Sequence, residues 1–257
     1  MFEALMIAAT GLTNQQRRLD MIANNVSNVN TVGYKSDRLN FKEALYTAGI
    51  VPGPPRTPEG NQQKGHGVMV AGTTKDFSTG NFIRTDRQLD VAIQGEGFFA
   101  LGDDDGNVFY TRIGSFHLGS EPDGTYLVNG EGLYVLGADG ERILVPENTQ
   151  SIEIETDGTV NFVNWEETTS VKIDIYTFRN ISGLETSGNG NYVESVASGE
   201  RRISDAAEVR QGVLEGSNVN LAEEMTRMIR TQRAFQLASR ALTTADEMEG
   251  IANNMRR

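Results

Sequence analysis

The chain has 257 residues, a formal net charge of −12 and no cysteine. The acidic balance argues against a nucleic-acid partner, which requires a basic face, and against an anionic membrane surface. The lack of cysteine excludes disulfides, thiolate zinc sites and cysteine nucleophiles, and the two histidines leave little scope for imidazole chemistry.

The N-terminal region carries no sign of a cleaved signal peptide. It is apolar, but it contains Glu3 and no basic residue before Arg17, so the charged region of a signal peptide is missing. No apolar run approaches the ~20 residues of a membrane-spanning helix. We therefore expect a protein that stays in the cytoplasm or leaves without a cleaved signal, with no direct membrane insertion.

The segment from Leu5 to Val29 has apolar residues at heptad spacing. This pattern predicts a helix with a narrow apolar stripe suited to coiled-coil packing. Stop signals at 30–33 predict its end, and Gly33 is expected to adopt a positive φ there. The stripe consists of Leu5, Leu12, Leu19, Ile22, Val26 and Val29.

Asparagines crowd the end of this first helix at Asn24, Asn25 and Asn28. Asparagine is a weak helix former, which suggests a reason other than helix stability. One interpretation is that these amides hydrogen-bond across subunits and set their register. The alternative is a solvated, fraying helix end.

Residues 34–88 are predicted to form an extended connector, because four of the six prolines lie between Pro52 and Pro58. Residues 89–213 are predicted to form a β domain. There, short alternating or apolar runs are separated by Asp-Gly pairs, which are strong hairpin signals. These pairs lie at 105–106, 123–124, 139–140 and 157–158.

A second helix is predicted from Leu221 to Asn253 or beyond, with Asn220 as its N-cap and Glu223 in a capping-box position. Its apolar stripe consists of Leu221, Met225, Met228, Phe235 and Leu242. The predicted fold class is therefore α+β. Terminal segments 1–33 and 214–257 form a discontinuous assembly domain that flanks a mainly antiparallel β domain.

Two helices that each bury only a narrow apolar stripe cannot shield both faces of a two-helix layer from water. Copies of the same chain are natural partners for the remaining apolar surface. The alternative from the pattern alone is that the helices pack on their own sheet as an ordinary α+β core.

Three blocks of sequence resemble the flagellar rod and hook protein family. Residues 19–35, Leu-Asp-Met-Ile-Ala-Asn-Asn-Val-Ser-Asn-Val-Asn-Thr-Val-Gly-Tyr-Lys, are similar to the N-terminal signature of that family. Residues 217–235, which include Asn218 and Asn220, are similar to its C-terminal signature. Residues 89–99 and 110–116 resemble the opening of the β domain in its longer members.

The resemblance implies a structural subunit of the flagellar basal-body rod. In the family, the terminal helices form an inner coiled-coil layer around the export channel, and the β domain packs outside them. Such a subunit polymerises with itself into a hollow tube that transmits torque. The implied partners are neighbouring rod and hook proteins, surrounding ring proteins and the flagellar export apparatus, which passes the chain without cleaving a signal.

The length and the block at 89–99 indicate the distal rod protein type or a proximal paralogue of similar length, and the proline-rich connector followed by residues 67–73 resembles the distal type more. A proximal paralogue of similar length, a hook-type protein and a secreted adhesion module built on the β domain stay open as alternatives. An enzyme is not expected, although paired carboxylates such as Asp103 and Glu121 are conceivable. The acidic stretch from Asp103 lacks the EF-hand glycine, and no catalytic residue, cofactor or metal site is predicted.

Overall fold

The structure, a computed structural model, describes residues 2–43, 47–48, 63–64, 68–164, 168–204 and 206–255. The chain forms two compact units. The helix unit comprises residues 1–27, 37–75 and 220–257, and the β unit comprises residues 28–36 and 76–219. In this division residues 28–36 group with the β unit and the described residues within 37–75 group with the helices, whereas the predicted boundaries lie at 33/34, 88/89 and 213/214. The proline-rich segment 52–58 lies outside the described residues.

The helix unit contains two helices that pack on each other, α1 (Phe2–Ser27) and α2 (Leu221–Asn254). An antiparallel pair of strands, β1 (Asp37–Glu43) and β4 (Val68–Lys75), lies against α1. A second short pair is formed by β2 (Thr47–Ala48) and β3 (Gln63–Lys64). Among the described residues, no helix is long and apolar enough to cross a membrane.

The two helices differ in how well their ends follow the sequence pattern. α1 stops at Ser27, before the predicted 30–33, and a turn follows in which the Thr31 N–H donates to the Asn28 carbonyl at 3.1 Å. α2 begins where the cap predicts. The Asn220 Oδ1 accepts from the N–H groups of Ala222 and Glu223 at 3.1 and 3.3 Å, satisfying two donors of the first turn.

The β unit is built around a ten-stranded sheet with the order β12-β10-β11-β7-β8-β18-β17. β9 pairs with β10, β16 with β7, and β19 with β16. A three-stranded sheet β13-β14-β15 and the pairs β20-β6 and β21-β5 complete it. Every pairing among the described strands is antiparallel, as predicted. The strands are β5 (Phe82–Arg84), β6 (Val91–Gln94), β7 (Phe98–Gly102), β8 (Val108–Thr111), β9 (Phe116–Glu121), β10 (Gly124–Asn129), β11 (Tyr134–Val135), β12 (Leu144–Val145), β13 (Ser151–Ile154), β14 (Thr159–Val163), β15 (Thr168–Lys172), β16 (Ile175–Phe178), β17 (Glu185–Gly188), β18 (Asn191–Val193), β19 (Arg201–Ile203), β20 (Glu208–Gln211) and β21 (Val213–Glu215).

The Asp-Gly pairs stand at turns between strands, as predicted. At all four pairs the glycine has a positive φ, between 76° and 149°. One apolar run is divided differently from expectation. Residues 172–176 are split between β15 and β16, because Ile173 and Asp174 are buried at the step from one sheet to the other.

Two apolar clusters fill the β unit. The larger cluster is centred on Phe99, Phe116 and Phe162, and the rings of Phe99 and Phe116 meet edge to face at 5.3 Å. The smaller cluster contains Phe98 and Phe178, with ring centroids 6.1 Å apart. These side chains are core, so the unit has its own hydrophobic interior.

Candidate functional site

The residues of the predicted stripes of α1 and α2 are only partly buried. On α1, Ile22 is buried and Leu12, Leu19 and Val26 are half-buried, whereas the side chain of Leu5 lies outside the described residues. Val29 is half-buried in the turn after α1.

On α2, the predicted residues Met228, Phe235 and Leu242 are half-buried, but Leu221 and Met225 are 41% and 51% exposed. Two polar residues of α2 are more deeply buried than these apolar ones: Glu224 and Thr231 are 4% and 3% exposed. The Glu224 carboxylate accepts from Arg227 at 3.0 Å, and the Thr231 hydroxyl donates to the Arg227 carbonyl at 2.8 Å.

Five apolar side chains of α2 and the Met255 side chain just after it are exposed on one side, which also carries Arg230, Arg233 and Arg240. These apolar side chains are between 51% and 78% exposed, and they lie towards the two ends of the helix, with none between Leu237 and Met248. A monomer that leaves an extended apolar strip in water has a surface suited to association. The strip consists of Met225, Ile229, Leu237, Met248, Ile251 and Met255. We refer to it as the α2 outer strip.

Two buried asparagines of α1 hold the β1–β4 pair. The Asn25 amide donates to the Asp37 carbonyl at 3.0 Å and accepts from the Asp37 N–H at 2.9 Å. The Asn14 amide donates to the Val68 carbonyl at 2.5 Å. These bonds lie within one chain and give Asn25 an intrachain function; the cross-subunit hydrogen bonds considered from the sequence stay a prediction.

The other motif residues also have local functions. Asn24 is exposed, and the Asn28 carboxamide oxygen accepts from the Thr31 hydroxyl at 3.2 Å. Gly33 has a φ of +67°, as predicted, and a Cβ there would lie 2.5 Å from a side-chain carbon of Ile113. The Asn218 amide accepts from the Ser36 N–H at 2.8 Å and donates to the Asp76 carbonyl at 2.7 Å.

The β unit contains a buried group of charged residues that we call the charged anchor: Lys35, Arg112 and Glu215. The Lys35 ammonium donates to Glu215 Oε1 and to the Ser78 carbonyl, both at 2.7 Å. The Gly80 N–H donates to the same carboxylate oxygen at 2.8 Å. All three charged side chains are at most 2% exposed.

Arg112 completes the charged anchor from the sheet. Its guanidinium lies 3.4 Å from Glu215 Oε2 and donates to the carbonyls of Ile93 and Gly95 at 3.3 and 2.8 Å. Burial lowers the pKa of both Lys35 and Arg112, and the charge of Glu215 opposes that shift. Because breaking a buried pair leaves a charge without compensation, the anchor makes the fold depend strongly on each member.

The charged anchor joins distant parts of the sequence. Lys35 and Glu215 are 180 residues apart. Lys35 lies beside the boundary at 36/37 and Glu215 near the boundary at 219/220, which are two of the four points at which the chain passes between the units. Sequence reasoning missed these residues because it looked to the helices for function. The available signal was that each of them lies in or beside a block that resembles the family.

Both carboxylates considered for chemistry take part in local hydrogen bonds. Asp103 closes a turn, accepting from the Asn107 N–H and side-chain amide, both at 2.7 Å, and these bonds lower its pKa. Glu121 instead accepts a short hydrogen bond from the Tyr134 hydroxyl. Within the described ranges, no group of three or more acidic or histidine side chains is placed to hold a metal ion.

Three family models match the chain. The one described as "Flagella basal body rod protein" matches residues 5–35. "Flagellar hook protein FlgE/F/G D1 domain" matches 92–162, and "Flagellar basal body rod FlgEFG protein C-terminal" matches 210–255. Each match contains one member of the charged anchor. Together with two terminal helices that flank the β unit in the sequence, these matches define the class of the protein, an axial component of the bacterial flagellum.

Full-length relatives narrow the class. The flagellar basal-body rod protein FlgG of Borreliella burgdorferi is 40% identical over 100% of both chains. FlgG of Bacillus subtilis is 38% identical over 100% of both chains, and FlgG of Caulobacter vibrioides is 32% identical over 99% of both. The chain therefore belongs to the flagellar basal-body rod protein family and is a structural subunit of the basal body. The predicted likeness to the distal rod type is confirmed.

Proposed function

We propose that this subunit polymerises through its two terminal helices into a hollow rod that transmits torque and encloses the export channel. The observation that carries the proposal is the α2 outer strip. Its apolar side chains gain about 25 cal/mol for each Å² that a neighbouring copy removes from water. In this arrangement the helices of many copies pack side by side in a coiled-coil-type layer, which gives each outer strip an apolar partner.

The contact between α1 and α2 within one chain supports the same proposal. α1 and α2 pack on each other along a seam within one chain, but Ile22 is buried while Met228 and Phe235 stay half-buried, so the single chain covers its predicted stripes only in part. The predicted stripe residues Leu221 and Met225 are exposed in the single chain and are available to neighbouring copies. The seam and the exposed face thus divide the apolar residues between holding one subunit and joining several.

We further propose that the chain lies in the distal part of the rod, where it contacts neighbouring rod and hook proteins. Surrounding ring proteins and the export apparatus are its other proposed partners. Export without a cleaved signal fits the missing basic region before Arg17. No catalytic function is assigned, because the carboxylates that could serve one are engaged in turn and side-chain hydrogen bonds.

Truncation and hydrogen exchange together test the polymerisation. Deleting residues 221–257 is expected to abolish polymers while leaving the β unit folded, since Glu215 and Asn218 are retained. In the full chain, amide hydrogens of both helices are expected to exchange fast in the monomer and slowly in the polymer. Strong protection of both helices in the isolated monomer, or polymers formed by the truncated chain, contradicts the proposal.

Cells that lack the protein test the position along the rod. A rod truncated near the hook is the expected result in electron micrographs of their basal bodies. A rod that lacks its base instead supports a proximal position. An intact rod contradicts both positions.

A further inference from the structure

The ten-stranded sheet ends in four edge strands among the described residues, and two of them are protected. β12 has only two residues and is followed by Pro146, which has no N–H to offer. β17 carries a bulge between Thr186 and Gly188. Short strands, prolines and bulges are the usual means of preventing an edge from pairing with another chain.

The other two edges, β9 and β19, are longer than β12, with six and three residues; Pro122 follows β9, but it lies in the two-residue turn to β10 and not along the edge. Within the described part of the chain, only the first residue of β9, Phe116, has a second neighbour, with its N–H donating to the Leu89 carbonyl at 3.2 Å. Among the described strands, β19 pairs with β16 alone. Neither strand contains a proline or a bulge. Such edges are templates for strand addition.

The pairing pattern shows which main-chain groups of β9 point outward. The Leu127 N–H donates to Ile143, on the far side of β10, so Leu127 does not bond to its partner Leu118 on β9. In an antiparallel pair, bonded and non-bonded residue pairs alternate. The N–H and C=O of Leu118 and Ser120 therefore point away from β10.

The same reasoning applies to β19. The Ser204 N–H donates to the Ile175 carbonyl at 2.8 Å, which makes this a bonded pair with β16. By alternation, the main-chain groups of Arg201 and Ile203 point away from β16. Each edge thus presents two outward residues at the same two-residue spacing.

The side chains of the two edges are complementary. Leu118 is 50% exposed and Ile203 is 55% exposed, so each edge carries an apolar side chain beside its outward main chain. β19 is basic, with Arg201 and Arg202, whereas β9 ends in Glu121. The β unit as a whole has 10 Lys and Arg against 25 Asp and Glu, a net charge of −15, so the basic β19 is suited to an acidic neighbour.

We infer that β9 of one copy pairs antiparallel with β19 of the next copy and continues its sheet. This inference rests on the proposed polymerisation and adds a contact between β units to the one between helices. With Leu118 opposite Ile203, Arg202 faces Gly119 and lies diagonal to Glu121, within reach of its carboxylate. The contact uses different surfaces on the two copies, so it propagates along an open helical polymer and does not close a dimer.

A cysteine pair tests the inference, because the chain has no native cysteine. The variant Leu118→Cys/Ile203→Cys, polymerised in the full-length chain and mildly oxidised, is expected to give a ladder of disulfide-linked dimers, trimers and longer species. Each single variant supplies only one of the two cysteines of every contact, so its oxidised polymers are expected to contain no disulfide-linked species. Failure of the double variant to form a ladder within intact polymers overturns the inference, and dimers from a single variant indicate a symmetric contact instead.

Charge substitution gives a second test that does not depend on oxidation. Leu118→Lys and Ile203→Lys are each expected to raise the critical concentration for polymerisation about tenfold. The double variant Leu118→Lys/Ile203→Glu is expected to bring the critical concentration most of the way back to that of the unsubstituted chain. Leu144→Lys is the matched control, because Leu144 is 49% exposed but lies on the protected β12. Equal effects at Leu118 and Leu144 overturn the inference.

The two proposals fail in different ways. If the helix-based polymer forms normally but the cysteine variant gives no ladder and Leu118→Lys leaves the critical concentration unchanged, only the pairing of β9 with β19 is excluded. If the chain without residues 221–257 still forms polymers that give a ladder, the sheet contact stands and the helix-based function is excluded.

Discussion

Lys35 and Glu215 form a buried contact whose loss is expected to be costly. Replacing Lys35 with Met leaves the Glu215 carboxylate without its nearest counter-charge, and Arg112 alone, at 3.4 Å, compensates it poorly. We expect Lys35→Met to lower the free energy of unfolding by about 3–5 kcal/mol. Urea denaturation of the full-length chain, followed by circular dichroism, measures this change.

An exposed ion pair provides the control for that measurement. Arg84 and Asp86 lie 2.6 Å apart, but their side chains are 81% and 71% exposed. We expect Arg84→Met to cost less than about 1 kcal/mol. Similar losses for Lys35→Met and Arg84→Met would show that burial of the charged anchor does not matter to stability.

Tyr134 is expected to ionise at unusually high pH. Its hydroxyl donates to the Glu121 carboxylate, and this bond raises the pKa of Tyr134 to about 12. The raised pKa means that the protonated phenol favours the folded state. This contribution is complete below the ordinary tyrosine pKa of about 10 and is lost as the pH rises through about 12.

Ultraviolet titration of tyrosine ionisation tests this shift. Tyr134→Phe is expected to remove one late-ionising group, and Glu121→Gln is expected to move that group to lower pH. Tyr110 provides a comparison, because its pKa is also raised but the largest cause of that shift is burial. An unchanged titration of Tyr134 in the Glu121→Gln variant contradicts the assigned cause.

At the level of elements, the attachment of β1 and β4 to α1 depends on side-chain amides. A two-stranded sheet is marginal on its own in water, and Asn25 gives it two hydrogen bonds at the end of α1. Asn25→Ala is expected to weaken protection from hydrogen exchange in β1 by about 1–3 kcal/mol. Asn24→Ala, at an exposed position on the same turn, is the control and is expected to have a smaller effect. An equal effect at both positions contradicts this function of Asn25.

Local patterns predicted the helices and turns because the relevant physics is local. The Asn220 cap, the start of α2 and the Asp-Gly turns each depend on neighbouring residues, and the structure has them where expected. The end of α1 and the function of Asn25 were not predictable in this way. They depend on contacts with Asp37 and residues beyond it, which no helical period encodes.

The division into units shows the same limit at a larger scale. Residues 28–36 continue the N-terminal segment in sequence, yet they pack with the β unit because Lys35 reaches Glu215. A pairing across 180 residues leaves no local pattern. The charged anchor could be suspected only from polar residues within the family blocks, whereas the apolar heptads were visible in the sequence by themselves.

The charge distribution of the whole molecule leads to a prediction about salt. The helix unit has 13 Lys and Arg against 10 Asp and Glu, a net charge of +3, while the β unit carries −15. Copies gathered in one polymer bring their acidic β units into proximity, and this repulsion opposes assembly. Added salt screens it, because the Debye length falls from about 10 Å at 0.1 M to about 3 Å at 1 M.

We therefore expect the critical concentration for polymerisation to fall as sodium chloride is raised from about 0.05 M to about 0.5 M. Sedimentation of polymers across a salt series measures it. The variant Asp105→Asn/Asp139→Asn/Glu141→Gln removes three exposed charges from the β unit and is expected to polymerise at lower concentration with a weaker salt dependence. A polymer that dissolves as salt is added would show instead that attraction between opposite charges, not burial of apolar surface, holds the copies together.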